Sequence, residues 1–388
     1  MTGVGPGMPL GWKQLRHKPM RLAVAVAGIA FAVLLIMMQL GFRAALFEST
    51  LRFHERFRYD IALFSPDSVF IVRPAAFSIR RLYQALGDED VADVSPVYIF
   101  PAVWKNPWGT DRRAIQSMGV DPEKDQFDTP GFAAGLPLLR QQDAVLFDAA
   151  SRPEFGDMRA RFAADGAVTT EINNRTVKVV GLLEIGPSFG IDGTIMTSID
   201  NWLRLFPDRP RDEIQLGLIR LRPGADPIVA RDRLRTELPH DVLVLTKRDF
   251  VDRERSYWNR ATPIGFVFAF GAIMGLVVGA IIVYQILFAD VSEHLNEYAT
   301  LRAIGYRNRF VSGIVLQQAA ILSVLGFVPG AAASAYLYKV AAGATRLPLH
   351  MTVDRALIVF GLMLLVCAIS GFLALRKVRR LNPAEVFG

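Results

Sequence analysis

Asp290-Val-Ser-Glu-His-Leu-Asn-Glu-Tyr-Ala-Thr-Leu-Arg-Ala-Ile-Gly-Tyr-Arg-Asn-Arg309 is a charged island between two uncharged stretches, Ala261–Ala289 and Phe310–Tyr338. Each flank exceeds the roughly 20 apolar residues that a helix needs to cross a bilayer. The island is too short to be a domain. Leu295, Tyr298, Leu301 and Ile304 fall at three-residue steps with Glu293, Glu297 and Arg302 nearby, which predicts a short amphipathic helix. Gly305 is a natural stop for that helix and lets the chain turn back into the next span. A short helix on the membrane surface between two spans is something an engine outside the membrane can push.

Outward from the island, the 388-residue chain is 52% hydrophobic with a mean hydropathy of +0.28 and a formal net charge of +7. A soluble protein of this length is rarely so apolar. The cations cluster beside apolar spans, so the basic balance does not read as nucleic-acid binding. The single cysteine, Cys367, allows neither an intrachain disulfide nor a cysteine zinc site.

Four spans are expected, at 22–42, 263–288, 311–337 and 356–375. The first is too long for a signal-peptide core and lacks a small-x-small cleavage site, so it reads as a retained signal anchor. Lys13, Arg16, Lys18 and Arg21 precede it, and Arg376, Lys377, Arg379 and Arg380 follow the fourth, which predicts that segments 1–21 and 376–388 are cytoplasmic. The loop 289–310 is then cytoplasmic and 338–355 is a short outer loop.

The remaining segment, 43–262, is expected to be a large periplasmic α+β domain. Strands are predicted at Tyr59–Phe64, Val69–Val72, Ala144–Phe147, Val168–Ile172, Thr176–Val180, Thr194–Thr197, Ile214–Leu221 and Val242–Leu245, and helices at Ile79–Leu86, Ile199–Leu205 and Pro227–Glu237. Asn173-Asn174 suits a hairpin turn. Asp88-Glu89-Asp90 reads as a solvated turn. Both ends of the domain show helical alternation, with Leu51 and Phe57 after the first span and Tyr257 and Trp258 before the second. Two amphipathic helices there would form a stalk, although the two aromatics also suit interfacial anchors.

Gly271, Gly275 and Gly279 recur every fourth residue in the second span, as do Gly326 and Gly330 in the third. Such ridges let helix backbones approach closely, either in a dimer or within one bundle. Gln39, Gln317 and Gln318 are expected to bond between helices, no ionisable residue accompanying them. Gly-Lys does not occur, so there is no Walker A loop. There is no H-E-x-x-H, and five scattered histidines give no metal spacing. No cofactor is expected on this chain.

The chain resembles the permease subunits of MacB/FtsX/LolC-type ABC transporters, most closely DevC-like permeases. The likeness lies in Trp12-Lys-Gln-Leu-Arg-His-Lys-Pro-Met-Arg21, Glu297-Tyr-Ala-Thr-Leu-Arg-Ala-Ile-Gly-Tyr306 and Arg376-Lys-Val-Arg-Arg-Leu-Asn-Pro-Ala-Glu-Val386, in that order on one span, a large domain and three spans. Tyr257-Trp-Asn-Arg-Ala-Thr-Pro-Ile-Gly265 is similar to DevC in particular. The resemblance implies no enzyme on this chain but an inner-membrane homodimer driven by a separate ABC ATPase that binds ATP and Mg. It implies partners in a periplasmic adaptor and a TolC-like outer-membrane channel, and export of a lipid, glycolipid or other periplasmic-side substrate. An FtsX-like mechanotransmission subunit that activates a periplasmic hydrolase is the alternative. In either case Leu295, Tyr298 and Leu301 would supply an apolar key for the ATPase, and Glu293, Glu297 and Arg302 its polar rim.

Overall fold

The computed structural model describes Trp12 and residues 17–295, 297–298, 300, 304–306 and 308–379. Contacts divide the chain into two compact units, a membrane unit (1–44, 264–342 and 349–388) and an extramembrane unit (45–263 and 343–348). Among the described residues, four helices are long and apolar enough to cross a membrane: α1 (Pro19–Arg56), α7 (Pro263–Glu293), α8 (Asn308–Thr345, with the apolar span at Ser312–Thr345) and α9 (Val353–Arg379, with the apolar span at Val353–Leu375). The extramembrane unit supplies α2 (Arg80–Gln84), α3 (Met158–Asp165), α4 (Ile199–Leu205), α5 (Pro227–Glu237) and α6 (Lys247–Ser256).

Its strands are β1 (Ile61–Phe64), β2 (Phe77–Ser78), β3 (Val91–Lys105), β4 (Arg112–Val120), β5 (Ala144–Asp148), β6 (Val168–Ile172), β7 (Arg175–Leu183), β8 (Thr194–Ser198), β9 (Glu213–Ile214), β10 (Leu216–Leu221) and β11 (Leu243–Thr246). Nine of them form a sheet ordered β11-β1-β10-β3-β4-β8-β5-β7-β6, and β2 pairs with β9. The 15-residue β3 organises the unit. Its first half pairs with β10 as far as Val97, and its second half pairs with β4 from Tyr98 onward. Trp104 then faces Ile172 of β6, which closes β3, β4, β8, β5, β7 and β6 into a ring. Pro96 and Pro101 flank the point where β3 changes partner, positions where proline's missing N–H costs least.

The sequence gives no alternation over β3 and β4, and neither strand was expected from it. Their patterning fails because β3 is buried on both faces through its middle. Val69–Val72, expected as a strand, is an irregular segment. The amide of Ile71 there donates to the buried Glu254 carboxylate (3.2 Å) instead of to a ladder. Asn173 and Asn174 carry φ of +50° and +63° and join β6 to β7 in the hairpin that their side chains favour. Caps define the helices. Asp226 accepts from Ile228 ahead of α5, and Thr246 and Asp249 form a capping box on α6.

Asp88 is not part of a solvated turn. Its side chain is 1% exposed and takes two bonds from Arg233 of α5, at 2.9 and 3.1 Å, while Asp90 pairs with the same guanidinium. That pairing holds the Asp88 carboxyl below the usual carboxylate range. The acidic run is therefore an anchor for α5, and only Glu89 is freely exposed, at 85%.

Candidate coupling site at the ends of the first two spans

In the membrane unit α1 is the central helix, and the glycine ridges are what admit it. A Cβ built on Gly271 would lie 2.5 Å from the Gln39 amide carbon, one on Gly275 3.0 Å from Ile36, and one on Gly279 2.9 Å from the Ala32 methyl. In the third span a Cβ on Gly330 would stand 2.6 Å from the Ala30 carbonyl oxygen, and Gly326 touches Ile29. Both ridges thus face the first span of the same chain. Tyr338 closes the other end of that contact, its hydroxyl donating to the Met37 carbonyl against Gly41.

At the charged end of the bundle, α1 and α7 are tied by ions. Lys18 Nζ lies 2.5 Å from Glu293 Oε2, and Arg21 makes a two-pronged contact with the same carboxylate at 2.7 and 2.6 Å. This fork geometry is the strong form of an arginine–carboxylate pair. One turn earlier on α7, Asp290 is 7% exposed and accepts a 2.7 Å bond from Gln318 Nε2 of α8. His294 Nδ1 sits 3.7 Å from the Asp290 carboxylate. An ionisable residue therefore does accompany Gln318, contrary to the sequence reading. It escaped notice because Asp290 and Gln318 are 28 positions apart, on either side of the island. A carboxylate at this depth stays only where such partners hold it.

The island itself is partly helical where it is described. Tyr298 N donates to the His294 carbonyl, and Ile304 N to that of Thr300. Leu301 and Arg302 lie outside the described residues. Gly305 has φ +103°, a conformation that suits glycine, and nothing lies within 4 Å of its virtual Cβ. The apolar steps do not share one face. Tyr298 is 0% exposed and packs in the core of the membrane unit with Ala25 and Leu287, so it is not available as a surface key. Leu295 is half-buried, Glu297 is exposed, and Ile304 and Tyr306 are 71% and 47% exposed. Glu293 is committed to Lys18 and Arg21 and so is an internal clamp, not a rim residue.

The stalk residues are integrated in the extramembrane unit. Leu51 is buried on α1. Phe57 lies one residue beyond the end of α1, bridges to Phe127 (rings 4.3 Å apart) and belongs to the core, not to a stalk face. Tyr257 stacks on Phe70 at 4.9 Å. Trp258 is 5% exposed and donates to Glu254 at 3.2 Å. Residues Tyr257–Ala261 form a π-helical turn ahead of Pro263, a distortion that often marks functional positions.

Two acids in this unit are buried. Burial pushes Glu254 up to about 7, against the pull of Trp258 and the Ile71 amide. Burial likewise pushes Asp148 up to about 6, against three backbone N–H donors (Ala150, Ile185 and Gly186) and Arg52. A raised acid pKa in the folded state means that the fold holds protons the unfolded chain releases. The associated stability is present below about pH 4 and is lost as pH rises through 6 to 7, roughly 3 kcal/mol for each group. His54, whose buried ring is held down to about 3, acts in the opposite direction over the same range. The test is therefore a difference: the melting temperature of Glu254→Gln should rise relative to that of wild type between pH 4 and 8, and a constant difference would count against a buried protonated Glu254.

No group of three or more histidine, cysteine or acidic residues able to hold a metal occurs among the described residues. Gly186-Pro-Ser-Phe-Gly190 spells the nucleophile-elbow pattern, but it lies in an irregular segment after β7 with no helix following, so the strained strand-to-helix turn is missing. Ser188 Oγ is spent accepting from the Gly190 amide at 3.2 Å.

Two family models match the chain. The family described as MacB-like periplasmic core domain matches residues 22–237, and the family described as FtsX-like permease C-terminal matches 269–383. The chain is 25% identical over 292 residues to the macrolide export ATP-binding/permease protein MacB of Bdellovibrio bacteriovorus. That match covers 70% of this chain but only 43% of the relative, so the chain spans under half of that protein's length. Among solved structures, the periplasmic region of MacB from Actinobacillus actinomycetemcomitans aligns with 53% of this chain and 95% of its own, at 12% identity and a TM-score of 0.33. The extracellular domain of the ABC-type transporter YknZ from Gram-positive bacteria aligns with 48% and 99%, at 15% identity and 0.33. With one family spanning more than half its length and the other covering three of its four spans, this multi-pass membrane protein belongs to the MacB/FtsX-type permease family.

Proposed function

We propose that this chain is the transmembrane subunit of an ABC exporter, converting ATP-driven motion of a separate ATPase into movement of its extramembrane domain. ATP and Mg are bound by that ATPase, and this chain carries neither. The observation that carries the reading is the clamp. Glu293 stands at the mouth of the charged island and is gripped by Lys18 and Arg21 at the start of α1. A push on the island is thereby delivered to two spans together. The exposed Glu297, Ile304 and Tyr306 of the island are the described residues on which an ATPase would dock.

In the fuller form of this reading, the protein is an inner-membrane homodimer with both termini cytoplasmic. It works with a periplasmic adaptor and an outer-membrane channel, and its cargo is a lipid, glycolipid or other substrate taken from the periplasmic side. Affinity purification of the tagged chain from native membranes, with partners identified by mass spectrometry, tests it. Recovery of an ABC ATPase with an adaptor supports export. An ATPase with a periplasmic hydrolase instead moves the assignment to hydrolase activation, and absence of any ATPase from intact complexes overturns both. In the same preparation Ile304→Asp should lower ATPase recovery about tenfold, since it charges an apolar residue that is 71% exposed on the island. Recovery equal to wild type would place docking elsewhere.

A further inference from the structure

Between the third and fourth spans the membrane unit has an apolar slot of about 420 Å³, lined by Val324, Phe327, Ala356, Leu357 and Phe360, with Thr352 as its polar lining residue. Phe327 and Phe360 meet edge to face at 5.0 Å and form one wall. Leu357 on the slot lining is 61% exposed, and Val328, next to Phe327, 62%. The lining on α9 runs from Val353 to Phe360, about two turns, within the apolar spans Ser312–Thr345 and Val353–Leu375.

The end marked by Thr352 is cationic. Arg355 Nη1 donates to the His350 carbonyl at 2.9 Å, and its guanidinium sits 5.8 Å from the Tyr338 ring, so the charge is held in place. Thr352 caps α9 by accepting from the Arg355 amide at 3.3 Å, and the positive end of the helix lies in the same turn. Asp354, the carboxylate of that turn, is exposed. An apolar slot that ends at a fixed guanidinium and a helix N-terminus has the polarity of an anionic phospholipid. A second copy of this chain would bring the same guanidinium to the same level and be repelled.

We propose that this slot is a binding site for an anionic membrane phospholipid, with one acyl chain along Phe327 and Phe360 and the phosphate at Arg355 and the α9 N-terminus. The lipid is a resident ligand, and its presence does not depend on what the protein exports. In this arrangement the slot gives affinity and Arg355 gives headgroup preference.

The test is native mass spectrometry of the full chain in detergent, delipidated and then titrated with palmitoyl-oleoyl phosphatidylglycerol or phosphatidylethanolamine. Wild type should hold one phosphatidylglycerol in preference to phosphatidylethanolamine. Ala356→Trp fills the slot and should lower binding of both lipids about tenfold, an overpacking penalty of ordinary size. Arg355→Gln should bind the two lipids equally. Ile369→Trp, on an exposed part of the same helix outside the slot, should behave as wild type. If Ala356→Trp melts early, Ala356→Leu narrows the slot more gently and is expected to give the same direction of change. Undiminished binding to the folded slot-filling variant, or an unchanged lipid preference in Arg355→Gln, overturns the assignment.

Discussion

Gly330→Leu should destabilise the membrane unit severely, while Gly361→Leu in the fourth span should be tolerated. A Cβ at Gly330 meets the Ala30 carbonyl oxygen at 2.6 Å, Val33 Cβ at 2.8 Å and Ala30 Cα at 3.0 Å. Two of these three atoms are backbone and cannot rotate aside, so the first and third spans must separate. At Gly361 nothing lies within 4 Å, so added carbons there meet no part of this chain. Overpacking typically costs about 1–3 kcal/mol where side chains can yield, so about 3 kcal/mol is a lower bound here. In lipid this loss is not offset by a hydrophobic drive, because tails solvate the separated faces as well as protein does. We expect the melting temperature in detergent to fall by about 10 °C for Gly330→Leu, with little change for Gly361→Leu. Equal melting of the two variants would refute the packing.

The same destabilisation would follow if the ridge served a dimer, so a second measurement separates the two. A Cβ on Gly275 lies 3.4 Å from Leu35 Cβ, close to the spacing that a disulfide requires. With Cys367 replaced by Ser, the pair Leu35→Cys and Gly275→Cys should oxidise within one chain and run as a monomer on a non-reducing gel. A dimer band would assign the ridge to contact between copies.

The ridges illustrate what the sequence could and could not say. A glycine every fourth residue announces a close approach, but periodicity does not name the partner. The partner is the first span, more than 200 residues earlier in the chain by the numbering of Gly271 and Gln39. The spans themselves were legible, since an uncharged apolar stretch of about 20 residues or more has few other uses. The β6–β7 hairpin was legible for an equally local reason, two asparagines at positive φ. By contrast β3 and β4, the strands that organise the extramembrane unit, carried no such signal. Pro96 and Pro101 argue against a strand locally, and only the change of pairing partner at Val97–Tyr98 makes them acceptable.

At the charged island the sequence misread which residues are buried and which are paired. Three-residue spacing placed Tyr298 with Leu295 on a common outward stripe, yet Tyr298 is wholly buried while Ile304 is exposed. Spacing reports that a helix has two faces, not which of them another helix covers. The electrostatics were hidden for a related reason. Glu293 read as a surface charge because Lys18 and Arg21, its partners, stand 275 and 272 positions away. Likewise Asp88 read as solvated until α5 brought Arg233 against it. Pairings between elements distant in sequence are settled by topology, which composition does not encode.

Reversing the charge of Glu293 should abolish coupling. Glu293→Arg would place a third cation beside Lys18 and Arg21, which lie 2.5 and 2.6 Å from the present carboxylate. Like charges at this separation repel, and the ends of α1 and α7 would be driven apart at the point where the island begins. The clamp is partly exposed, so its loss should leave the fold largely intact and act on transmission instead. We expect Glu293→Arg to accumulate in the membrane and to retain the ATPase in purified complexes, while substrate-stimulated ATP hydrolysis falls at least about tenfold. The triple variant Lys18→Glu, Arg21→Glu, Glu293→Arg restores opposite charges in exchanged positions and should recover much of that activity. Glu293→Gln, which removes attraction without adding repulsion, should fall between the two. Raised ionic strength should weaken the wild-type clamp and lower its coupled rate toward that of Glu293→Gln, since an exposed pair is screened by salt. If Glu293→Arg hydrolyses ATP with full substrate stimulation, the clamp is a structural tie without a part in transmission. If the triple variant fails where the single one fails, the two arms of the clamp are not interchangeable, and something other than their attraction fixes the ends of α1 and α7.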